Sequence, residues 1–144
     1  MPAYDLLIKN GTVIDGTRRK RFAGDVAVSA GEIANIGRIP DTEAERVIDA
    51  KGKFVAPGFV DILSHSDTYL TLLTMPAQES LLHQGITTII GGNCGSSLAP
   101  LVSGSVVKTI QKWTSVQALN VDWQTFGEYL AALERVKLGV NFGS

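Results

Sequence analysis

Cysteine is nearly absent from this chain, which has a single residue, Cys94, in 144. One thiol excludes an internal disulfide and fits a reducing compartment. Histidine is scarce as well, represented only by His65 and His83. No apolar run is long enough to cross a bilayer, and the opening Met1-Pro2-Ala3-Tyr4-Asp5 lacks the basic start of a secretory signal. The expected location is therefore the cytosol. Neither sign of charge dominates: 13 basic residues face 14 acidic ones, for a formal net charge of -1. That balance gives no electrostatic reason to expect nucleic acid or an anionic membrane as partner. The only basic cluster, Arg18-Arg19-Lys20-Arg21, reads as an exposed hairpin loop. No internal repeat or low-complexity tract stands out. What the chain does have is an apolar share of 44%, enough for one ordinary core.

The first ~50 residues read as β structure. Leu6 and Ile8 precede Asn10-Gly11, and Thr12-Val13-Ile14 follow. That pattern predicts two short strands around a dipeptide that favours positive φ. A second hairpin is expected at Ala30-Gly31, between Asp25–Val28 and Glu32–Gly37. Val47–Ala50 and Lys53–Ala56 read as two more strands around Lys51-Gly52. The expected product is a small antiparallel sheet or half-sandwich.

After Pro57 the rhythm changes to strand, helix, strand. Phe59–Leu63 reads as a buried strand, in which Asp61 needs a partner. Met75–Gln84 reads as a helix capped by Thr74, with Pro76 in its first turn and Gly85 at its end. The β-branched Ile86-Thr87-Thr88-Ile89-Ile90 reads as the next strand. Such a unit predicts parallel strands joined by a crossover. Ser96–Leu119 reads as a long excursion with a helical stretch near Val106–Trp113. Asp122 is expected to cap an amphipathic helix carrying Phe126, Leu130 and Leu133, and Leu138, Val140 and Phe142 to begin a third strand. Trp113, Trp123 and Tyr129 read as packing residues.

Two residues stand out chemically. His65 follows the first strand, beside Asp67, and a neutral imidazole with a neighbouring carboxylate suits a divalent metal. Cys94 lies in the turn Gly91-Gly92-Asn93-Cys94-Gly95 after the second strand, where a thiolate could bind zinc or attack a substrate. Alternatively, His65 satisfies a polar turn and Cys94 is a small apolar residue. A strand–helix–strand unit carries both to one rim of the sheet, where an α/β barrel keeps its active site. Asp67, Asn93 and Ser96 are candidates to support them. His83 falls near a helix end on the outside of the sheet, remote from that rim. Catalytic zinc needs about three protein ligands, so the pair is incomplete.

The segment Tyr4–Gly16 resembles the opening of a metal-dependent amidohydrolase, as does Val47–Asp61. Gly92-Asn93-Cys94-Gly95 narrows the resemblance to the N-acyl-D-amino-acid deacylase (D-aminoacylase) branch, and Asp122–Leu130 is similar to it as well. The resemblance implies an α/β fold: a small β-sandwich portion in residues 1–56, then the start of a (β/α)8 barrel in residues 57–144. It implies a zinc-dependent hydrolase for small N-acyl amino acids, in which activated water attacks an amide carbonyl. His65 matches the second histidine of a His-x-His pair, and Cys94 matches a metal cysteine. Leu63 stands where the first histidine belongs and cannot bind metal. The remaining histidines and the general-base aspartate are expected beyond residue 144, so the chain is expected to be the N-terminal portion of a longer enzyme and inactive alone. A cyclic-amide hydrolase or deaminase of the same superfamily, or a non-catalytic remnant, are the rival expectations.

Overall fold

The computed structural model describes residues 2–101 and 121–144, and the chain divides into two units, Met1–Pro57 and Gly58–Ser144. The first is built around one long strand. β1 (Tyr4–Val13) pairs antiparallel with β2 (Phe22–Ser29), which pairs antiparallel with β3 (Glu32–Gly37). On its other side β1 pairs in parallel with β4 (Ala44–Asp49) and then with β5 (Phe54–Val55). The sheet order is β3-β2-β1-β4, with β5 also on β1. The unit is thus a mixed sheet, not the antiparallel one expected.

Asn10 is the reason. It adopts a φ of 60°, as a hairpin turn would need, but it kinks β1 without reversing it. The register with β2 shifts between Ile8 and Gly11, the mark of a bulge. Three partners hold the kink. The Asn10 backbone N–H donates to Asp25 Oδ1 at 2.9 Å. Its side-chain amide donates to Asp49 Oδ1 at 2.9 Å. The turn at Ala50–Lys53 runs alongside, with Ala50 N–H on Lys9 O and Thr12 N–H on Lys53 O. Gly11 must lack a side chain here, because a Cβ would lie 2.5 Å from Val55 Cγ2. The hairpin at Ala30-Gly31 does form, with φ values of 52° and 81°. Leu7 and Ala27, opposite one another, are fully buried with Ile39 beside them. The Arg18–Arg21 cluster lies in the exposed β1–β2 connection, where Arg19 stacks over Phe22 and Arg21 over Phe54.

The second unit is a parallel sheet in the order β6-β7-β8, made of β6 (Phe59–Asp61), β7 (Ile86–Ile90) and β8 (Asn141–Gly143). Its pairings include Asp61 with Ile89 and Ile89 with Phe142. The predicted helix over Met75–Gln84 does not form as one: a single turn, α1 (Thr71–Thr74), comes before it, and of its own span only α2 (Glu79–Leu82) is helical. Thr74 ends the first of these and caps nothing. Pro76 has no N–H to continue a helix, and Gln78 at φ 48° spends its side chain on the carbonyls of Thr71 and Met75, at 2.7 and 2.8 Å. Gly139 donates its N–H to Pro76 O, closing the break.

The long helix is α3 (Phe126–Val136), and its cap is Thr125, not Asp122. Thr125 Oγ1 accepts from the Glu128 N–H, while Glu128 Oε2 accepts from the N–H of Thr125 and Gln124. This reciprocal box holds the first turn. Asp122 instead pairs with Arg135 at 3.4 Å. Tyr129, Ala132 and Leu133 form the buried face of α3 and meet Ile89, Leu72 and Trp123 in one core. Trp123 donates Nε1–H to Leu98 O at 2.8 Å. Trp123 and Tyr129 are packing residues, as expected; the Val106–Trp113 stretch lies outside the described residues. Along β6 and just past it, Phe59, Val60, Ile62 and Leu63 are exposed. No helix among the described residues is long and apolar enough to cross a membrane.

Candidate metal-binding site

β6 and β7 run side by side in the same direction, so the loops that follow them leave one end of the sheet. His65 is in the first loop, half-buried, with its ring edge-on to Tyr69 at 6.4 Å. Its carbonyl is occupied by the Tyr69 N–H at 3.0 Å. Cys94 is in the second loop as a free, exposed thiol. It sits at φ 58° between Gly92 at 71° and Gly95 at 72°, in a tight reversal after β7 that glycine makes accessible.

Three sets of hydrogen bonds tie the loops together. Ser64 N–H donates to Ile90 O at 3.0 Å. The fully buried Asp67 takes the Thr68 N–H on Oδ1 at 2.8 Å and, across the gap, the Gly92 N–H on Oδ2 at 2.9 Å. Asn93 turns its amide back over the strand ends and donates to Ile90 O at 2.8 Å and Ile62 O at 3.3 Å. Gly91 lets these groups close up, since a Cβ would lie 2.8 Å from Phe142 Cε2 and 3.0 Å from Asp67 Cγ.

Asp61 ends β6 by accepting the Leu63 N–H at 3.0 Å, which meets its need for a partner. Leu63 is exposed beside it, and its side chain carries no atom that could bind a metal. His83 closes α2 and is exposed. Ser96 accepts no role beyond the turn, its N–H donating to Asn93 O at 3.0 Å. Ser64 is a residue that sequence reasoning passed over. It is buried, and its hydroxyl bonds Ser66 Oγ at 3.1 Å, stiffening the approach to His65. No sequence signal separated it from an ordinary loop serine.

An imidazole and a thiol are donor types that zinc takes. Among the described residues, however, no three His, Cys, Asp or Glu side chains gather closely enough to hold an ion. The donors fit zinc in kind but are fewer than a full set.

Residues 46–139 match the model of the amidohydrolase family, and the chain belongs to that family. It is 36% identical over 138 residues to a D-aminoacylase from Alcaligenes xylosoxydans xylosoxydans, covering 96% of this chain and 28% of that protein. An N-acyl-D-aspartate deacylase from the same organism is 36% identical over 137 residues, covering 95% and 27%. Among solved structures, it is similar to an N-acyl-D-glutamate deacylase from Bordetella bronchiseptica complexed with zinc and a phosphonate inhibitor that mimics the tetrahedral intermediate. There the TM-score is 0.78 at 32% identity, covering 96% of this chain and 28% of the other. The chain therefore spans little more than a quarter of the length of these relatives.

Proposed function

We propose that this chain supplies part of the catalytic site of a zinc-dependent hydrolase that cleaves the amide bond of N-acyl-D-amino acids. In this reading β6, β7 and β8 are strands of a (β/α)8 barrel, residues 57–144 being its start, and residues 1–56 belong to a β-sandwich. His65 and Cys94 would hold the ion with a further ligand, and the general base would be an aspartate beyond residue 144. The observation that carries the reading is the juxtaposition of the two donor loops, bridged by Asp67 to Gly92 and by Asn93 to Ile62.

When bound, zinc lowers the pKa of a water and polarises the substrate carbonyl. What these residues do is hold geometry. Asp67 fixes the backbone two residues before Cys94, Asn93 fixes the strand ends, and Ser64, the residue before His65, ties its loop to Ile90 O and to Ser66. Leu63 favours a single site on the cysteine side. A lone exposed thiol suits a reducing cytosol.

The test is metal analysis of the protein that contains this chain after dialysis against zinc, with His65→Ala and Cys94→Ala alongside. Reduced zinc in both variants is expected; equal content in all three proteins overturns the assignment. In the protein that contains this chain, release of free amino acid from an N-acyl-D-amino acid, compared with opening of a hydantoin or dihydropyrimidine, separates deacylation from cyclic-amide hydrolysis.

A further inference from the structure

Tyr129 is fully buried, yet its hydroxyl has no hydrogen-bond partner among the described residues. A buried phenol usually finds one, because leaving it bare costs about 1–3 kcal/mol. The ring's surroundings are apolar: Trp123 at 5.4 Å, Phe126 at 6.3 Å and Phe142 edge-on at 6.1 Å. Among the described residues, one charged group lies near. Phe142 Cε2 and the Asp67 carboxyl both lie within 3.0 Å of where a Cβ on Gly91 would stand, which places Asp67 beside the ring that Tyr129 meets edge-on. Asp67 is itself fully buried, and among the described residues its carboxylate accepts only from Thr68 N–H and Gly92 N–H, so its oxygens have acceptor capacity left. The Tyr129 hydroxyl is held well above its ordinary pKa, by burial first and by the Asp67 charge second.

We propose that Tyr129 is a positioning residue whose hydroxyl donates to the Asp67 carboxylate through one bridging water, fixing the Gly91–Gly95 loop that presents Cys94. The two groups make no direct hydrogen bond, and a water with two such partners is an ordinary buried feature. The chain of contacts then runs from α3 through Asp67 to Gly92 N–H, so a helix remote in sequence sets the pose of the thiol. The proposal deepens the metal-site reading, resting on it only for what the held loop is for.

Cys94 is the sole cysteine, so the labelling rate of the metal-free chain with an aromatic disulfide reagent reads this loop alone. Tyr129→Phe keeps the ring and removes the hydroxyl. We expect several-fold faster labelling and lost amide-exchange protection at Gly92. The Asp67→Asn chain should show the same changes, and Tyr129→Phe should add little on top of it. Phe126→Leu, which disturbs packing against the same ring, should leave labelling unchanged. Unchanged labelling and Gly92 protection in Tyr129→Phe overturns the proposal, whether its unfolding midpoint rises, as for removal of an orphan hydroxyl, or falls, as for a purely structural role. Should Asp67→Asn not fold, the Tyr129→Phe and Phe126→Leu pair still decides. No metal is present in the assay, so this result and the zinc result can fail independently.

Discussion

Replacing Asp67 by alanine tests how firmly the two donor loops are joined. The side chain is fully buried and takes two backbone N–H groups, Thr68 at 2.8 Å and Gly92 at 2.9 Å. Hydrogen bonds to a charged acceptor contribute about 1.5–3 kcal/mol each, and a buried N–H left bare costs a similar amount. Partial relaxation and water entry offset some of this, so a loss of about 3 kcal/mol is the expected outcome. That is a large fraction of the roughly 5–15 kcal/mol available to a whole domain. With an m-value of about 1–3 kcal/mol per molar urea, the midpoint falls by about 1–3 M. Both tryptophans, Trp113 and Trp123, belong to the second unit, so tryptophan fluorescence follows that unit's unfolding without interference from the first. Asp61→Ala is the comparator. It removes one bond to Leu63 N–H at a solvent-accessible position and should cost about 0.5–1 kcal/mol. A loss below about 1 kcal/mol for Asp67→Ala, or equal losses in the two variants, would refute the reasoning.

Acid should act on the first unit through Asp25. Burial pushes its carboxyl up, but the N–H groups of Asn10 and Ile39 and the charges of Lys9 and Arg38 outweigh it, leaving the pKa below the ordinary carboxylate value. A depressed folded-state pKa gives stability that is present above the ordinary value and lost as pH falls through the depressed one. Acid titration followed by far-ultraviolet circular dichroism should show that limb shrink in Asp25→Asn; an unchanged acid limb would remove Asp25 from the account. The edge strand β6 exposes Phe59 at 65%, and the residues after it expose Ile62 at 73%, so the isolated 1–144 chain should self-associate. Ile62→Lys should lower its apparent mass in sedimentation, and a monomeric parent chain would contradict this.

Much of the architecture was legible locally. Turn chemistry placed the Ala30-Gly31 hairpin, and a β-branched run placed β7. After Pro57 the order of residues placed β6 and β7 but not what lies between them, where only two single turns form. His65 and Cys94 could be put after adjacent strands because a strand–helix–strand unit has one parallel solution. The cap of α3 was readable too, since Thr125 and Glu128 have capping-box spacing; Asp122 is simply another good capping residue three positions earlier.

What the residues could not decide alone was which distant groups each local preference would meet. Asn10 favours positive φ in a hairpin and in a bulge alike, and only the arrival of β4, β5 and Asp25 made it a bulge. Pro76 weakens a helix, but the full break needed Gln78 to take over the freed carbonyls and Gly139 to close on Pro76. Asp67 reads as one more polar residue beside a histidine until Gly92 is brought to it across 25 positions of sequence. Backbone preference is a property of a few neighbouring atoms, whereas the partner of a buried polar group is chosen by the packing of the whole unit. That is why the sequence by itself could single out His65 and Cys94 as candidates, and the tertiary structure alone revealed what joins their loops.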